Sequence, residues 1–209
     1  RPSPVLHVTV AGNRPSEAGV RIHRARLQVD EVDATRPVTA PLRTLLDCGR
    51  VLPLLDALVI MDAAVHRGRV RLDVLQAAAD AARGHGAAAL RRVVTYVDQL
   101  AESPLESVLR LLVSILNCAV RSQVRIPGVG KVDFLVDGWL ALEGDGFEFH
   151  SDRRAYRNDR QRGTALVVGR YVYLRFTYED LAGRPGWVFA TVAHVLAAGP
   201  PWCAGKRAS

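Results

Sequence analysis

The pattern of apolar and polar positions changes near residue 40. "VLHVTVAG" and "GVRIHRARLQV" alternate apolar and polar residues, as half-buried strands do, and the turn-rich "NRPSE" lies between them. We therefore predict a short β-hairpin. After "TRPVTAP" the apolar residues recur at threes and fours, which is typical of helices. The helical segments are "LRTLLDCGR", "VLPLLDALVIMDAAVHR", "RLDVLQAAADAAR" and "AAALRRVVTYVDQL".

A second region begins with a helix signal at "AESPLESVLRLLVSIL". Ser103 followed by Glu106 has the spacing of a capping box, and Pro104 stands at the first helical position. The next segment, "VRIPGVGKVDFLVDGWLALEGDG", predicts three short strands. The dipeptide Asp137-Gly138 between the last two favours a two-residue hairpin turn.

The remaining segments complete the order helix, three strands, helix, strand, helix. They are "SDRRAYRNDRQRGTALVVG", "YVYLRF" and "GWVFATVAHVLAAG". We predict an α/β protein in which residues 1–99 are a mainly helical region with a strand pair. Residues 100–198 form an αβββαβα domain, and residues 199–209 form a flexible tail.

Composition narrows the class of protein. A content of 49% hydrophobic and 23% charged residues is ordinary for a soluble globular protein, and no apolar run approaches the length of a membrane span. The net charge of +7 favours a polyanion such as nucleic acid, although a basic surface can equally serve solubility. Three scattered cysteines without a CxxC motif fit a reducing cytoplasm. Because the chain begins with Arg1 and has no signal peptide, we expect a fragment of a longer cytoplasmic protein.

Acidic residues on the predicted strands are candidates for a metal site. Strand side chains alternate between faces, so Glu143 and Asp145 point the same way, as do Lys131 and Asp133 on the neighbouring strand. If these faces coincide, three carboxylates converge in a largely buried sheet, where unpaired charge is costly. Mg²⁺ is the simplest compensation, because it prefers a few hard oxygen ligands. Glu106, on the preceding helix, could add a fourth acid.

Basic residues follow these acids along the chain. Arg153, Arg157 and Arg160 are spaced four and three apart and form one stripe on the predicted helix. Such a stripe binds DNA phosphates or is simply a solvated face, and the sequence leaves both interpretations open. We expect Arg175, in "YVYLRF", to pair with a carboxylate, with Asp159 as one candidate partner.

Several ordered segments together resemble a known family. "SPLES", "IPGVGKVDFLV", "LALEGDGFEFH", "RRAYRNDRQR" and "YVYLRFTYED" look like the endonuclease-domain proteins related to very-short-patch repair endonucleases, which belong to the restriction-endonuclease-like PD-(D/E)XK superfamily. The resemblance covers roughly residues 100–198. The first half resembles the helical region that follows a winged helix in abortive-infection-type antitoxin proteins, and the winged helix itself would lie before Arg1.

The resemblance implies a role for each matching residue. Asp133 matches the first acid of the motif and Glu143 the second, while Asp145 stands where the motif has its lysine. This departure still matches the Glu-x-Asp-Gly form common among these endonuclease-domain proteins. Glu106 matches the helix acid of the superfamily. His150 resembles the histidine that such repair enzymes place beside the scissile phosphate.

The activity implied is metal-dependent hydrolysis of DNA. Asp133 and Glu143, with Asp145 as a further or water-bridged ligand, would hold Mg²⁺ (or Mn²⁺), which polarises the phosphate and activates water. Either Lys131 supplies the charge of the missing lysine, or His150 acts as general acid and base; we favour His150. A histidine that only packs at a helix start is the simpler alternative.

Two classes of function follow. The first is a Mg²⁺-dependent DNA endonuclease in DNA repair or in defence against foreign DNA. The second is a non-catalytic, antitoxin-like DNA-binding regulator that keeps a nuclease-like fold, because fold alone does not decide function. The sequence leaves open the DNA structure that is recognised and whether two chains pair as a homodimer to cut both strands.

Overall fold

The computed structural model describes residues 5–13, 15, 17–146 and 153–206. Within these ranges the protein is of the mixed α/β class, as predicted. The first region contains β1 (Leu6–Val10), β2 (Val20–Arg24), a 3-10 helix (Val29–Glu31), α1 (Pro41–Val51), α2 (Leu54–His66), α3 (Leu72–Ala81) and α4 (Ala87–Val94). The second contains α5 (Pro104–Ser114), β3 (Val120–Ile126), β4 (Gly130–Val136), β5 (Leu140–Asp145), α6 (Arg153–Val168), β6 (Val172–Thr177), α7 (Tyr178–Gly183), α8 (Pro185–Ala198) and a 3-10 helix (Pro201–Lys206).

The two N-terminal strands do not form the predicted hairpin. β1 and β2 pair in parallel, with Leu6 opposite Val20 and Val10 opposite Arg24. Strands of a hairpin run in opposite directions, so that prediction is wrong. The connecting residues 11–19 are long enough to lead the chain back along β1 before β2 begins, which permits the parallel arrangement.

The four helices of the first region enclose a core of their own. Leu58 and Met61 of α2 and Leu90 of α4 are fully buried in it. Gly49 brings α1 close to both helices, since an added Cβ would lie 2.5 Å from Leu90 Cδ1 and 2.7 Å from Met61 Cε. This close approach explains why α1 carries glycine at a position where alanine is the better helix former.

The second region is built on a four-stranded sheet in the order β3-β4-β5-β6. The first three strands are antiparallel, and β6 pairs in parallel with β5 after the crossover through α6. The predicted order of elements is present, and the short helix α7 adds one more. A turn forms at Asp137-Gly138 as predicted, and both residues are left-handed (φ +46° and +77°), as a type I′ turn requires. Strand pairing resumes with Val136 opposite Leu140, so the connection is one residue longer than the predicted two.

Helices cover both faces of this sheet. α5 and α8 pack on one face, where Leu109 and Val192 contact the core around Phe134 and Leu142. α6 covers the other face through Leu166, which packs with Leu135 and Ala141. Because strand side chains alternate, Glu143 is on the α6 face together with Ala141.

Part of the C-terminal segment, expected to be a flexible tail, is regular. Residues Pro201–Lys206 form a 3-10 helix, and the Trp202 ring contacts Trp139 edge to face at a centroid distance of 6.5 Å. This aromatic contact anchors the segment beside the β4–β5 turn.

No helix in the described ranges combines the length and the apolar character needed to cross a membrane.

Candidate active site

Asp133 of β4 lies at the centre of the acidic group. Burial, together with the negative charges of Glu106 and Glu143, raises the pKa of Asp133 from 3.8 to about 6. The Gly144 N–H donates to Asp133 Oδ2 over 3.0 Å and, with the more distant Arg162, opposes this rise. Three of the predicted acids, from α5, β4 and β5, are therefore close enough to interact.

Glu106 is placed by the start of α5. Ser103 Oγ accepts a hydrogen bond from the Glu106 N–H at 3.2 Å, so the predicted helix start is confirmed. Only this half of the predicted capping box forms. The carboxylate of Glu106 does not return to Ser103, because its Oε2 accepts from the Glu102 N–H at 3.0 Å and from Gln123 Nε2 at 2.6 Å.

Gln123 reaches Glu106 through a local distortion of β3. Its φ is +53°, a left-handed conformation that is uncommon for a residue other than glycine. The regular pairs on either side are Ser122 with Phe134 and Val124 with Val132, so the distortion occurs opposite Asp133. Backbone strain of this kind is concentrated at functional sites in proteins.

Both carboxylate oxygens of the buried Glu143 accept hydrogen bonds. Arg162 Nη2 donates to Oε1, and the Tyr173 hydroxyl donates to Oε2. Burial raises the pKa of Glu143, while the Tyr173 hydrogen bond and the charges of Arg162 and Arg175 lower it. Burial and the bond to Glu143 raise the pKa of the Tyr173 hydroxyl. Tyr173 therefore remains a hydrogen-bond donor at neutral pH.

Asp145 is paired with a cation. Arg175 Nε contacts Asp145 Oδ2, and Arg175 is the register partner of Glu143 in the parallel β5–β6 pair. The prediction that Arg175 pairs with a carboxylate is confirmed, and the structure identifies Asp145 as a partner. The Asp145 side chain is 34% exposed, so it lies at the rim of the acidic group.

Lys131 does not supply a cation directly to Asp133. Its Nζ lies 2.6 and 2.7 Å from the two carboxylate oxygens of Glu102, in a half-exposed ion pair. The Lys131 carbonyl accepts a hydrogen bond from Arg162 Nη2. The cation that contacts the acidic group next to Lys131 is Arg162, which pairs with Glu143.

The remaining predicted residues are only partly described. His150 lies outside the described residues. Arg153 and Arg157 belong to α6, but their side chains also lie outside the described part. Arg160 is exposed on the same helix. The structure thus leaves the predicted arginine stripe and the histidine as predictions.

Sequence reasoning missed three side chains that hold the acids: Gln123, Arg162 and Tyr173. Arg162 was present in the arginine-rich segment, yet it falls outside the stripe with three- and four-residue spacing. Tyr173 and Arg175 stand two residues apart in β6, so the alternation of strand side chains could have placed both on one face.

The predicted metal ligands Asp133, Glu143 and Asp145 do not form a ready-made ligand set. Among the described residues, no group of three or more His, Cys, Asp or Glu side chains is arranged to hold a metal ion. Arginines pair with Glu143 and Asp145 in this arrangement. The donor chemistry nevertheless fits a hard divalent cation, because these two acids with Asp133 and Glu106 outnumber the two arginines that pair with them.

The fold and this site define a mixed α/β protein with a buried acidic group where α5, β4 and β5 meet. No protein-family model and no solved structure matches the chain. Two relatives from Mycobacterium tuberculosis do: Uncharacterized protein MT2308 (strain CDC 1551 / Oshkosh) and Uncharacterized protein Rv2248 (strain ATCC 25618 / H37Rv). Each is 30% identical over 193 residues, covering 88% of this chain and 70% of the relative. The chain belongs to the family of these mycobacterial proteins.

Proposed function

We propose that this protein is a metal-dependent DNA endonuclease that hydrolyses phosphodiester bonds. The observation that carries the proposal is that the partly buried Asp133 lies beside the buried Glu106 and Glu143; desolvation and these two negative charges raise the pKa of Asp133 to about 6. A protein gains no stability from burying like charges together. Such an arrangement is typical of functional sites, where a cation or substrate offsets the repulsion.

The order of elements supports a restriction-endonuclease-like core. α5 precedes the antiparallel strands β3, β4 and β5, and the α6 crossover leads to the parallel strand β6. In this proposal Asp133 and Glu143 match the two motif acids of that superfamily. Asp145 replaces the motif lysine at the rim of the site.

In phosphodiester hydrolysis, the chain's own residues would have the following roles. Asp133 and Glu143 hold the cation, and Tyr173 keeps Glu143 in place through its hydroxyl. Gln123 orients Glu106 toward the same group. Mg²⁺ or Mn²⁺, when bound, polarises the scissile phosphate and lowers the pKa of water. His150 is our candidate for the general acid and base.

Charge and composition support DNA as the substrate. The chain carries a net charge of +7, and Arg160 is exposed on α6, the helix that contributes Arg162 to the acidic group. With Arg153 and Arg157 on the same helix, these cations would bind backbone phosphates without reading sequence. Cys48, Cys118 and Cys203 are free thiols, which supports a reducing compartment such as the cytoplasm.

The test is metal-dependent cleavage of supercoiled and of mismatched duplex DNA. The wild-type chain, Asp133→Asn and Glu143→Gln are incubated with Mg²⁺, Mn²⁺ or EDTA. Asp73→Asn, at a side chain 61% exposed on α3, is the matched control. We expect cleavage by wild type and Asp73→Asn that EDTA abolishes and that both site variants lose. Equal inactivity of all four chains, each shown to be folded, would refute the endonuclease.

A second candidate is a non-catalytic DNA-binding regulator with a nuclease-like fold. The observation that favours it is that arginines already neutralise Glu143 and Asp145, as in a structural ion-pair network. This candidate predicts DNA binding that is equal in wild type and Asp133→Asn, with no cleavage by either chain.

A further inference from the structure

Arg162 lies where a bound cation would be expected to neutralise the acidic group. From α6, its Nη2 donates both to Glu143 Oε1 and to the Lys131 carbonyl. Its Nε is buried and has no hydrogen-bond partner among the described residues. A guanidinium in this place takes part of the electrostatic role that a divalent cation would have.

The position of Arg162 conflicts with direct metal binding by Glu143. Mg²⁺ binds a carboxylate oxygen at about 2.0–2.1 Å. Oε1 is the oxygen that contacts Arg162, whereas Oε2 is engaged by Tyr173. Two cations at the same carboxylate oxygen repel each other strongly in a buried site. Glu143 therefore cannot hold a divalent cation through Oε1 while Arg162 keeps its present contact.

We propose that Arg162 competes with the divalent cation for Glu143 and thereby sets the metal affinity of the site. The proposal rests on the metal-dependent function proposed above. Arg162 acts here as a positioning residue, because it works through Glu143. This role adds a residue to the motif acids, since the family motif does not include Arg162.

The surroundings of Arg162 are suited to such an exchange. Its side chain is 28% exposed, so the guanidinium can turn toward solvent without crossing the core. Its unpartnered Nε means that leaving costs no hydrogen bond at that atom. Glu143 would keep its hydrogen bond from Tyr173 after Arg162 leaves. A displaced Arg162 would remain on α6, near the position proposed for the substrate phosphate. Its positive charge would there take the place of the missing motif lysine.

The experiment is a calorimetric titration of the intact chain with Mn²⁺ alone, without DNA. Arg162→Gln removes the competing charge. Arg43→Gln is the matched control, because Arg43 is also partly buried, at 18% exposed, but pairs with Glu31 and Asp47 in the first region. We expect Arg162→Gln to bind Mn²⁺ about tenfold more tightly than wild type, the scale of effects from residues around metal ligands. Arg43→Gln is expected to leave the Mn²⁺ affinity at the wild-type value, because its two carboxylate partners do not belong to the acidic group.

Arg162→Lys serves as a second variant that keeps the charge but loses the fork-shaped donor. We expect its Mn²⁺ affinity to lie between those of wild type and Arg162→Gln. Thermal unfolding is a further readout. In EDTA the melting temperature of Arg162→Gln should be below that of wild type, and in saturating Mn²⁺ the two melting temperatures should be equal. The proposed competition between Arg162 and the metal is overturned if Arg162→Gln and Arg162→Lys bind Mn²⁺ no more tightly than Arg43→Gln.

The variant Asp133→Asn distinguishes failure of the proposed competition from failure of the proposed metal site. If wild type binds Mn²⁺ and Asp133→Asn does not, the metal site stands and the arginine variants decide the competition alone. If wild type and Arg162→Gln release no binding heat, or Asp133→Asn binds as well as wild type, the metal site itself is refuted. The competition is then refuted with it.

Discussion

Arg110 of α5 donates from Nη2 to Asp62 Oδ2 of α2 over 2.6 Å, and their side chains are only 11% and 2% exposed. Asp62 also accepts from Ser107 Oγ at 2.6 Å and from the Asp98 N–H at 2.8 Å. Burial raises the pKa of Asp62 despite these donors. This network joins the helical first region to the helix whose first turn carries Glu106.

Removing Asp62 should destabilise the protein strongly. In Asp62→Ala, Ser107 loses its buried partner and Arg110 keeps only Asp98, 3.8 Å away, as a charged partner; a buried charge that loses its main partner costs about 3 kcal/mol in the free energy of unfolding. Urea denaturation at pH 7 measures the loss. Glu102→Ala is the control, since the Lys131–Glu102 pair is equally short at 2.6 Å but is half exposed. We expect its effect to be about 0.5 kcal/mol or less. Equal effects of the two substitutions would contradict the role assigned to burial.

Asp133→Asn should stabilise the folded protein at neutral pH. The folded-state pKa of Asp133 is about 6 and its ordinary value is 3.8. Its stabilising contribution is therefore present below pH 4 and is lost as the pH rises through 6. At pH 7.5 the ionised Asp133 costs about 3 kcal/mol, which asparagine removes while it still accepts from the Gly144 N–H.

Urea denaturation of wild type and Asp133→Asn at pH 7.5 and pH 4 checks this expectation. The variant should be the more stable protein at pH 7.5, and the difference should nearly vanish at pH 4. A difference that is independent of pH would show that ionisation of Asp133 is not its cause.

Gly138→Ala should weaken the β4–β5 turn. Gly138 has φ +77°, where alanine is strained, and the loss should be about 1 kcal/mol. Gly163→Ala provides the opposite case. Gly163 lies inside α6 with no positive φ and no atom within 4 Å of an added Cβ, so alanine should stabilise the protein by about 0.5–1 kcal/mol. Thermal melts of the two variants should shift in opposite directions.

Ser103→Ala should cost about 1 kcal/mol, because the first turn of α5 loses the acceptor for the Glu106 N–H. Ser114→Ala is the same substitution in the exposed last turn of that helix, and it should be near neutral. If the proposed function is right, Ser103→Ala should also lower Mn²⁺ affinity, since Glu106 is positioned by that turn. Similar urea midpoints for the two variants would argue against the cap.

Local signals in the sequence predicted most elements of the fold. Ser103 with Pro104 marked a helix start, and Asp137-Gly138 marked a hairpin turn, because these residues prefer the backbone angles found there. The alternation in β1 and β2 predicted strands but could not reveal their parallel pairing. Alternation reports which side chains are buried and carries no information on strand direction.

The acids of the candidate site could also be predicted from local signals in the sequence. Glu143 and Asp145 stand two apart at the end of an apolar strand, and Asp133 stands in the strand before it. The partners of these acids could not be predicted. Arg162 and Tyr173 are 19 and 30 residues from Glu143, and the α6 crossover brings them to it.

The periodicity of the helices and strands, the turn at Asp137-Gly138 and the acids on β4 and β5 could all be inferred from the sequence alone. These depend on short-range backbone preference and on the hydrophobic pattern. Packing of the folded chain was needed to show that arginines pair with Glu143 and Asp145, that Gln123 turns toward Glu106, and that Asp62 joins the two regions. These contacts join charged and polar side chains from distant segments, which meet only when the elements pack together.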